Sequence, residues 1–199
     1  MKDYLKYINA QATFNSRLWG KLTVESVSFT PASDGDLAVY IGQPLQAERP
    51  IVRIHSQCVF AETFDSDFCD CADQLYMAMD CLVQSQKGIL VYLRFDGRGE
   101  GLSAKVKATA LEIEGMDTFE SRKAIGVQPE ARSFEKIGEF FRSKGITKIT
   151  LLTNNPDKIN DIAKCGIDVK VEKLVVSDQN ENVKKLYETK RKKFGHHIE

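Results

Sequence analysis

The densest run of reactive side chains lies between His55 and Cys71, "HSQCVFAETFDSDFCDC", and carries Cys58, Cys69 and Cys71, three of the chain's five cysteines. Thiols at this spacing suit a metal site, a disulfide or a set of small buried residues. Zinc prefers thiolate and imidazole; four protein ligands close a structural site, and three leave a position open to water. Cys69 and Cys71 can share an ion if "CDC" lies in a tight turn and Cys58 returns across a loop. Three thiols without an evident fourth point to an open, catalytic zinc. His55 is the candidate fourth ligand, although it falls on a β-type run ahead of the loop. Free cysteine is also commonly a small buried hydrophobe, so spacing alone leaves metal and core readings level. An odd cysteine count and a chain read as cytosolic make the disulfide the weakest of the three. Cys81, inside a helical pattern, and Cys165, at a helix end, read as structural.

Two further stretches could touch a ligand. In "RFDGRGEGL" (94–102), Gly97, Gly99 and Gly101 follow an apolar strand and precede a helix. Backbone N–H groups exposed at such a helix start suit phosphate, and Arg98 adds charge. The spacing matches neither the dinucleotide nor the Walker pattern, and a plain glycine-rich turn accounts for it equally. In "TNNPDK" (153–158), Asn155 as N-cap and Pro156 at the first helical position explain themselves. A ligand role there rests on Thr153 and Lys158, at a strand's carboxyl end where α/β sheets tend to bind ligands. His196 and His197 read as solvated tail residues, and "KRKK" (190–193) as a solvated helix face.

The elements that must hold these residues follow from periodicity. "GKLTVESVSF" (20–29), "LAVYIG" (37–42) and "IVRIHS" (51–56) are β-type runs, giving a small N-terminal β region with loops rich in Ser, Asp and Pro. Residues 72–88 switch to helical period, with Leu75, Met79, Leu82 and Val83 on one face and Gly88 as the stop. "ILVYLRF" (89–95) is a strand buried on both faces. Helices are expected over 101–115, ended by Gly115, and over 133–145. The latter has Ser133 as N-cap, Gly145 past its end, and Phe134, Ile137 and Phe141 on one face. A βαβ unit follows, with strands 147–152 and 167–174 around a helix ending near Cys165. The charged tail is partly helical. The fold class is α/β with α+β character, a mixed sheet layered with helices, in one domain spanning 1–199.

Composition restricts function. Of 199 residues 42% are apolar, which suits a globular chain, and 28 basic residues balance 28 acidic ones. No global field recruits nucleic acid or a membrane. "MKDYLKYINAQ" has no apolar signal segment, and no run reaches the roughly 20 residues of a membrane helix. A cytoplasmic protein is expected.

Nine motifs in order, from about residue 18 to the tail, resemble the GTP cyclohydrolase II family of riboflavin biosynthesis: "LWG", "RIHSQC", "CDC..QL", "GILVYLR", "DGRGEGL", "GMDT", "IG....AR.F", "LLTNNPDK" and "TKRKKFGH". The resemblance implies a zinc hydrolase that opens the imidazole ring of GTP at C8, releases pyrophosphate and expels C8 as formate. It implies one zinc per chain on Cys58, Cys69 and Cys71, Mg²⁺ with the triphosphate, and a homodimer. It places GTP against Arg53, Ile54, His55, Ser56 and Gln57, then Gln74, then Asp96, Gly97 and Arg98, then Thr118, Thr153 and Lys158. Arg132 matches the arginine that attacks the α-phosphate, and Glu130 stands where the family has a catalytic aspartate. The chain also departs from the pattern. Gln57 replaces a glutamate, Asp96 and Glu100 alter "EGRGIGL", and Ala72 replaces a glycine. Thr109 stands where a tyrosine assists the ring chemistry. These departures keep open a relative that yields a formylated ring-opened product or uses another purine nucleotide. A catalytically silent nucleotide-binding protein is a third reading, which the retained thiols and Arg132 disfavour.

Overall fold

The computed structural model describes residues 10–29, 35–94, 96–177 and 179–198. The expectations drawn for residues 1–9, for the loop at 30–34 and for Phe95 lie outside these. Among the described residues seven strands form one sheet: β1 (Gln11–Ser16), β2 (Gly20–Val27), β3 (Asp36–Gly42), β4 (Ile51–Ser56), β5 (Lys87–Leu93), β6 (Lys148–Leu152) and β7 (Asp168–Glu172). Their order is β1-β2-β3-β5-β4-β6-β7. The β1/β2, β2/β3 and β3/β5 pairs are antiparallel, while β5/β4, β4/β6 and β6/β7 are parallel. The sheet is therefore mixed, and the N-terminal β region is continuous with it as its antiparallel wing. The exposed strand β1 has no counterpart in the sequence reading, because its polar residues show no buried face.

Among the described residues seven α-helices accompany the sheet: α1 (Val59–Phe64), α2 (Cys71–Ser85), α3 (Gly101–Ile113), α4 (Glu120–Ala124), α5 (Glu135–Ser143), α6 (Pro156–Lys164) and α7 (Glu181–Phe194). Strand alternation divides the core into two layers. Ala38 and Tyr40 of β3 and Ile89, Val91 and Leu93 of β5 pack with Phe134, Ile137, Phe141 and Ile162 near α5 and α6. Val39, Ile41 and Leu90, one residue out of phase, pack with Ala78, Met79 and Leu82 of α2. This period-2 split is what a strand covered on both faces produces.

Two helix ends differ from expectation. α2 stops at Gln86, whose left-handed φ of 53° caps it; Gly88 instead lies in β5, where a Cβ would meet the Leu82 Cβ at 2.6 Å. This glycine serves helix–strand contact rather than chain reversal. The N-cap of α5 is Phe134, and Ser133 accepts from the Glu135 N–H at 3.5 Å. Among the described residues no helix is long and apolar enough to cross a membrane.

Candidate active site

The carboxyl ends of the parallel strands converge on one cleft. β4 runs through His55 and Ser56 into Cys58, which caps α1. Cys71 opens α2, and Cys69 sits in the loop before it. The three thiol sulfurs lie within 4.8 Å of one another, with Cys58 and Cys69 3.5 Å apart. All five cysteines are free. Lys105, from α3, donates to the Cys58 sulfur at 3.0 Å and to Asp96 Oδ1 at 2.8 Å. Hydrogen bonds from Cys69 and Cys71, with the Lys105 charge beside them, hold the Cys58 thiol far below its ordinary range. The bond to Cys58 pushes Cys69 up to about 11, and Cys71 is raised well above normal. A converging set of soft donors beside a cation that favours thiolate fits zinc, so these three residues could hold that ion.

His55 does not join the thiols. Its Nε2 lies 2.9 Å from Glu62 Oε1, an oxygen that also accepts from the Cys58 N–H at 2.7 Å. Tyr92 donates to the other Glu62 oxygen at 2.5 Å. Glu62 thus fixes the backbone that carries Cys58. Neither Glu62 nor Lys105 stood out in the sequence, because each acts through a partner brought near only by folding.

The other side of the cleft is cationic. Gly97 and Gly99 take φ of +64° and +96°, and Arg98 between them is left-handed at 60°, a conformation that costs a residue bearing a side chain. A Cβ on Gly99 would touch Ala131 and the Arg132 side chain at 3.4 Å. The loop therefore lies against the segment that delivers Arg132. Asp96 anchors it, accepting from the Gly97 N–H at 2.7 Å and the Val59 N–H at 2.9 Å. Arg132 Nε donates to Glu130 Oε1 at 2.7 Å, a second bond joins the same two side chains, and Nη1 donates to Ser56 Oγ at 3.1 Å. Burial opposes the Arg132 charge, but the Glu130 bond outweighs it and its pKa is raised.

Three cations lack such a carboxylate. Arg53 donates to the Leu152 carbonyl at 3.0 Å and to Gln74 Oε1 at 2.9 Å. Lys158 donates to the Ile54 carbonyl at 2.8 Å. Arg98 lies over the Phe194 ring, 4.0 Å from its centroid. Among the described residues none of the three has a carboxylate at ion-pair distance. Burial lowers Arg53 to about 10, and burial with the Arg132 charge lowers Arg98 to about 9. Burial, with Arg53 and Arg132 nearby, holds Lys158 well below the usual lysine value. Buried charge without a counter-charge is costly, and an anion entering the cleft would offset that cost.

The fold brings Arg53, His55, Ser56 and Gln57 to this cleft, together with Gln74, Asp96, Gly97, Arg98, Thr118, Thr153, Lys158, Arg132 and Thr109. Ile54 does not reach it: its side chain is fully buried in the core, and only its carbonyl reaches Lys158. Glu130 stands behind Arg132. Thr118 is engaged by Arg122, whose Nη1 donates to its hydroxyl at 2.6 Å. The tail is not wholly solvated, contrary to the sequence expectation. His197 is exposed, but His196 and Lys190 line the cleft, because α7 folds back across it. Arg191, Lys192 and Lys193 are exposed as expected.

Comparison with known proteins bears on this arrangement. The family model described as GTP cyclohydrolase II matches residues 7–174. The chain is 37% identical over 183 residues to a GTP cyclohydrolase-2 of Haemophilus influenzae, covering 90% of this chain and 84% of that protein. It is 40% identical over 150 residues to the GTP cyclohydrolase-2 of Helicobacter hepaticus, covering 75% and 76%. It is 36% identical over 177 residues to the riboflavin biosynthesis protein RibBA of Bacillus velezensis, covering 87% of this chain and 44% of that one.

Proposed function

The chain belongs to the GTP cyclohydrolase II family of hydrolases, and on that premise we propose that it opens the imidazole ring of GTP at C8 with release of pyrophosphate, as a step of riboflavin biosynthesis. One observation carries this reading: a three-thiol group shares one cleft with the buried Arg53 and Lys158 and the half-buried Arg98, none of which has a carboxylate at ion-pair distance among the described residues. Bound zinc would supply Lewis acidity at the thiols. Arg53, Arg98 and Lys158 would receive the triphosphate with its Mg²⁺, meeting its charge with cations whose desolvation folding has already imposed. Arg132 acts on the α-phosphate. Glu130, accepting from the Arg132 Nε at 2.7 Å, keeps the guanidinium charged and oriented toward the α-phosphate. His55, Ser56, Gln57 and Gln74 line the same cleft and would contact the nucleotide there. The enzyme acts as a homodimer in the cytoplasm, with the exposed Leu102, Val106 and Ile113 of α3 offering an apolar face for a second copy.

Thr109 favours a second reading. Its short hydroxyl lines the cleft where the family resemblance implies a phenol, so the second hydrolysis lacks that donor and a formylated ring-opened nucleotide accumulates. Incubating zinc-loaded protein with GTP and Mg²⁺, and identifying products by mass, tests both. Pyrophosphate with a ring-opened nucleotide is expected; unchanged GTP at high enzyme concentration refutes the function.

A further inference from the structure

Residues 181–198 lie beyond the matched family segment, yet they wall the cleft. Helix α7 is tied to the cysteine loop. Tyr187 donates to Asp70, the residue between Cys69 and Cys71; Lys190 stands 3.6 Å from the other Asp70 oxygen; and the Asn180 side chain donates to the Asp67 carbonyl at 3.0 Å. After Phe194 the chain turns at Gly195. The His196 N–H donates to the Lys190 carbonyl at 3.1 Å, and the His197 N–H to the Asn154 carbonyl at 2.9 Å, just past β6. Ile198 is buried with Val183 and Tyr187. The backbone is pinned on both sides of His196, which lines the cleft.

The charges facing His196 are of one sign. They are Lys190 from α7, Arg98 from the glycine loop, Lys158 from α6, and Arg132 from the segment before α5. The nearby carboxylates are engaged: Glu130 by Arg132, Glu112 by Arg122, Asp96 by Lys105 and Asp70 by Tyr187 and Lys190. Burial, followed by those four charges, pushes the imidazole down to about 3, so it is neutral at pH 7 in the free protein.

We propose that the C-terminal segment is part of the nucleotide site and that His196 contacts the bound triphosphate, taking one proton from solvent as the polyanion enters. This rests on the nucleotide reading above. Triphosphate charge offsets the repulsion that keeps the proton away and supplies acceptors for an imidazolium N–H. No covalent bond changes; the proton comes from buffer and leaves with the ligand. Because binding takes up a proton, affinity must rise as pH falls.

Calorimetric titration tests this with zinc-loaded, full-length protein, Mg²⁺ and a GTP analogue bearing a methylene between its α and β phosphorus atoms. Each titration is run at pH 7 in two buffers of different ionisation enthalpy, which separates proton uptake from binding heat. The native protein should take up about one proton more than His196→Gln, and that variant should bind about tenfold more weakly. His196→Arg, permanently charged, should bind without the extra uptake. Equal proton counts and equal affinity in native protein and His196→Gln would overturn the inference while leaving nucleotide binding intact. Absence of analogue binding by the native protein would overturn both.

Discussion

Lys158→Met removes a buried charge while keeping most of the side-chain stem, and it should make the ligand-free protein more stable. Lys158 is buried; among the described residues its Nζ hydrogen-bonds the Ile54 carbonyl alone, at 2.8 Å, and lies 5.3 Å from the Phe134 ring centroid, and its charge is disfavoured first by burial and then by Arg53 and Arg132. Burying an ammonium costs several kcal/mol even after relaxation. Lysine can limit that cost by releasing its proton, at about 1.4 kcal/mol per pH unit below its ordinary value near 10.4, which caps the cost at about 4–5 kcal/mol at pH 7. Against this stands the Ile54 bond, whose loss costs about 1–3 kcal/mol. The variant should therefore gain about 1–3 kcal/mol at pH 7, or about 2–4 °C in Tm per kcal/mol for a chain of this size. The advantage shrinks with alkalinity. The folded state binds this proton more weakly than the unfolded chain, so the native protein gains stability as pH rises from the lowered folded value toward about 10.4. The variant lacks that contribution, so its advantage should shrink by up to about 1.4 kcal/mol per unit between pH 7 and 9. Thermal and urea denaturation of both proteins at pH 7, 8 and 9 measures this, and GTP binding should be lost in the variant. A less stable variant at pH 7, or an advantage that does not change with pH, would refute the claim that the site holds Lys158 at a cost.

Three further outcomes are expected. Cys69→Ser should lower zinc below one ion per chain by elemental analysis; full retention would remove these thiols as its ligands. Arg132→Ala should slow pyrophosphate release from GTP by about 10²–10³-fold, and undiminished release in a coupled assay would exclude Arg132 from that step. Thr109→Tyr should raise the ratio of formate to formylated nucleotide measured by mass spectrometry; an unchanged ratio would show that this wall position does not limit the second hydrolysis.

Elements with strong periodic or capping signals were legible in the sequence. β4 follows "IVRIHS", α6 starts at Pro156 behind Asn155, and Phe134, Ile137 and Phe141 share a buried face, because each is set by local backbone chemistry. The cysteine group was also nameable, since thiols are rare and their spacing carries a donor preference. What the sequence left level was whether the three thiols meet, and tertiary structure brings them together from the end of β4 and the start of α2. The helix stop at Gln86 escaped notice because a left-handed non-glycine cap has no compositional mark. Glu62, Lys105 and His196 were hidden for a different reason. Each gains its chemistry from groups distant in the chain: Glu62 from Tyr92, Lys105 from Cys58 and His196 from Arg98, Lys158 and Arg132. Residue type and spacing determine which side chains can bind a metal or an anion. Only the packed chain decides which charges lose their water and their partners, because desolvation and Coulomb energy depend on three-dimensional distance and on what excludes solvent.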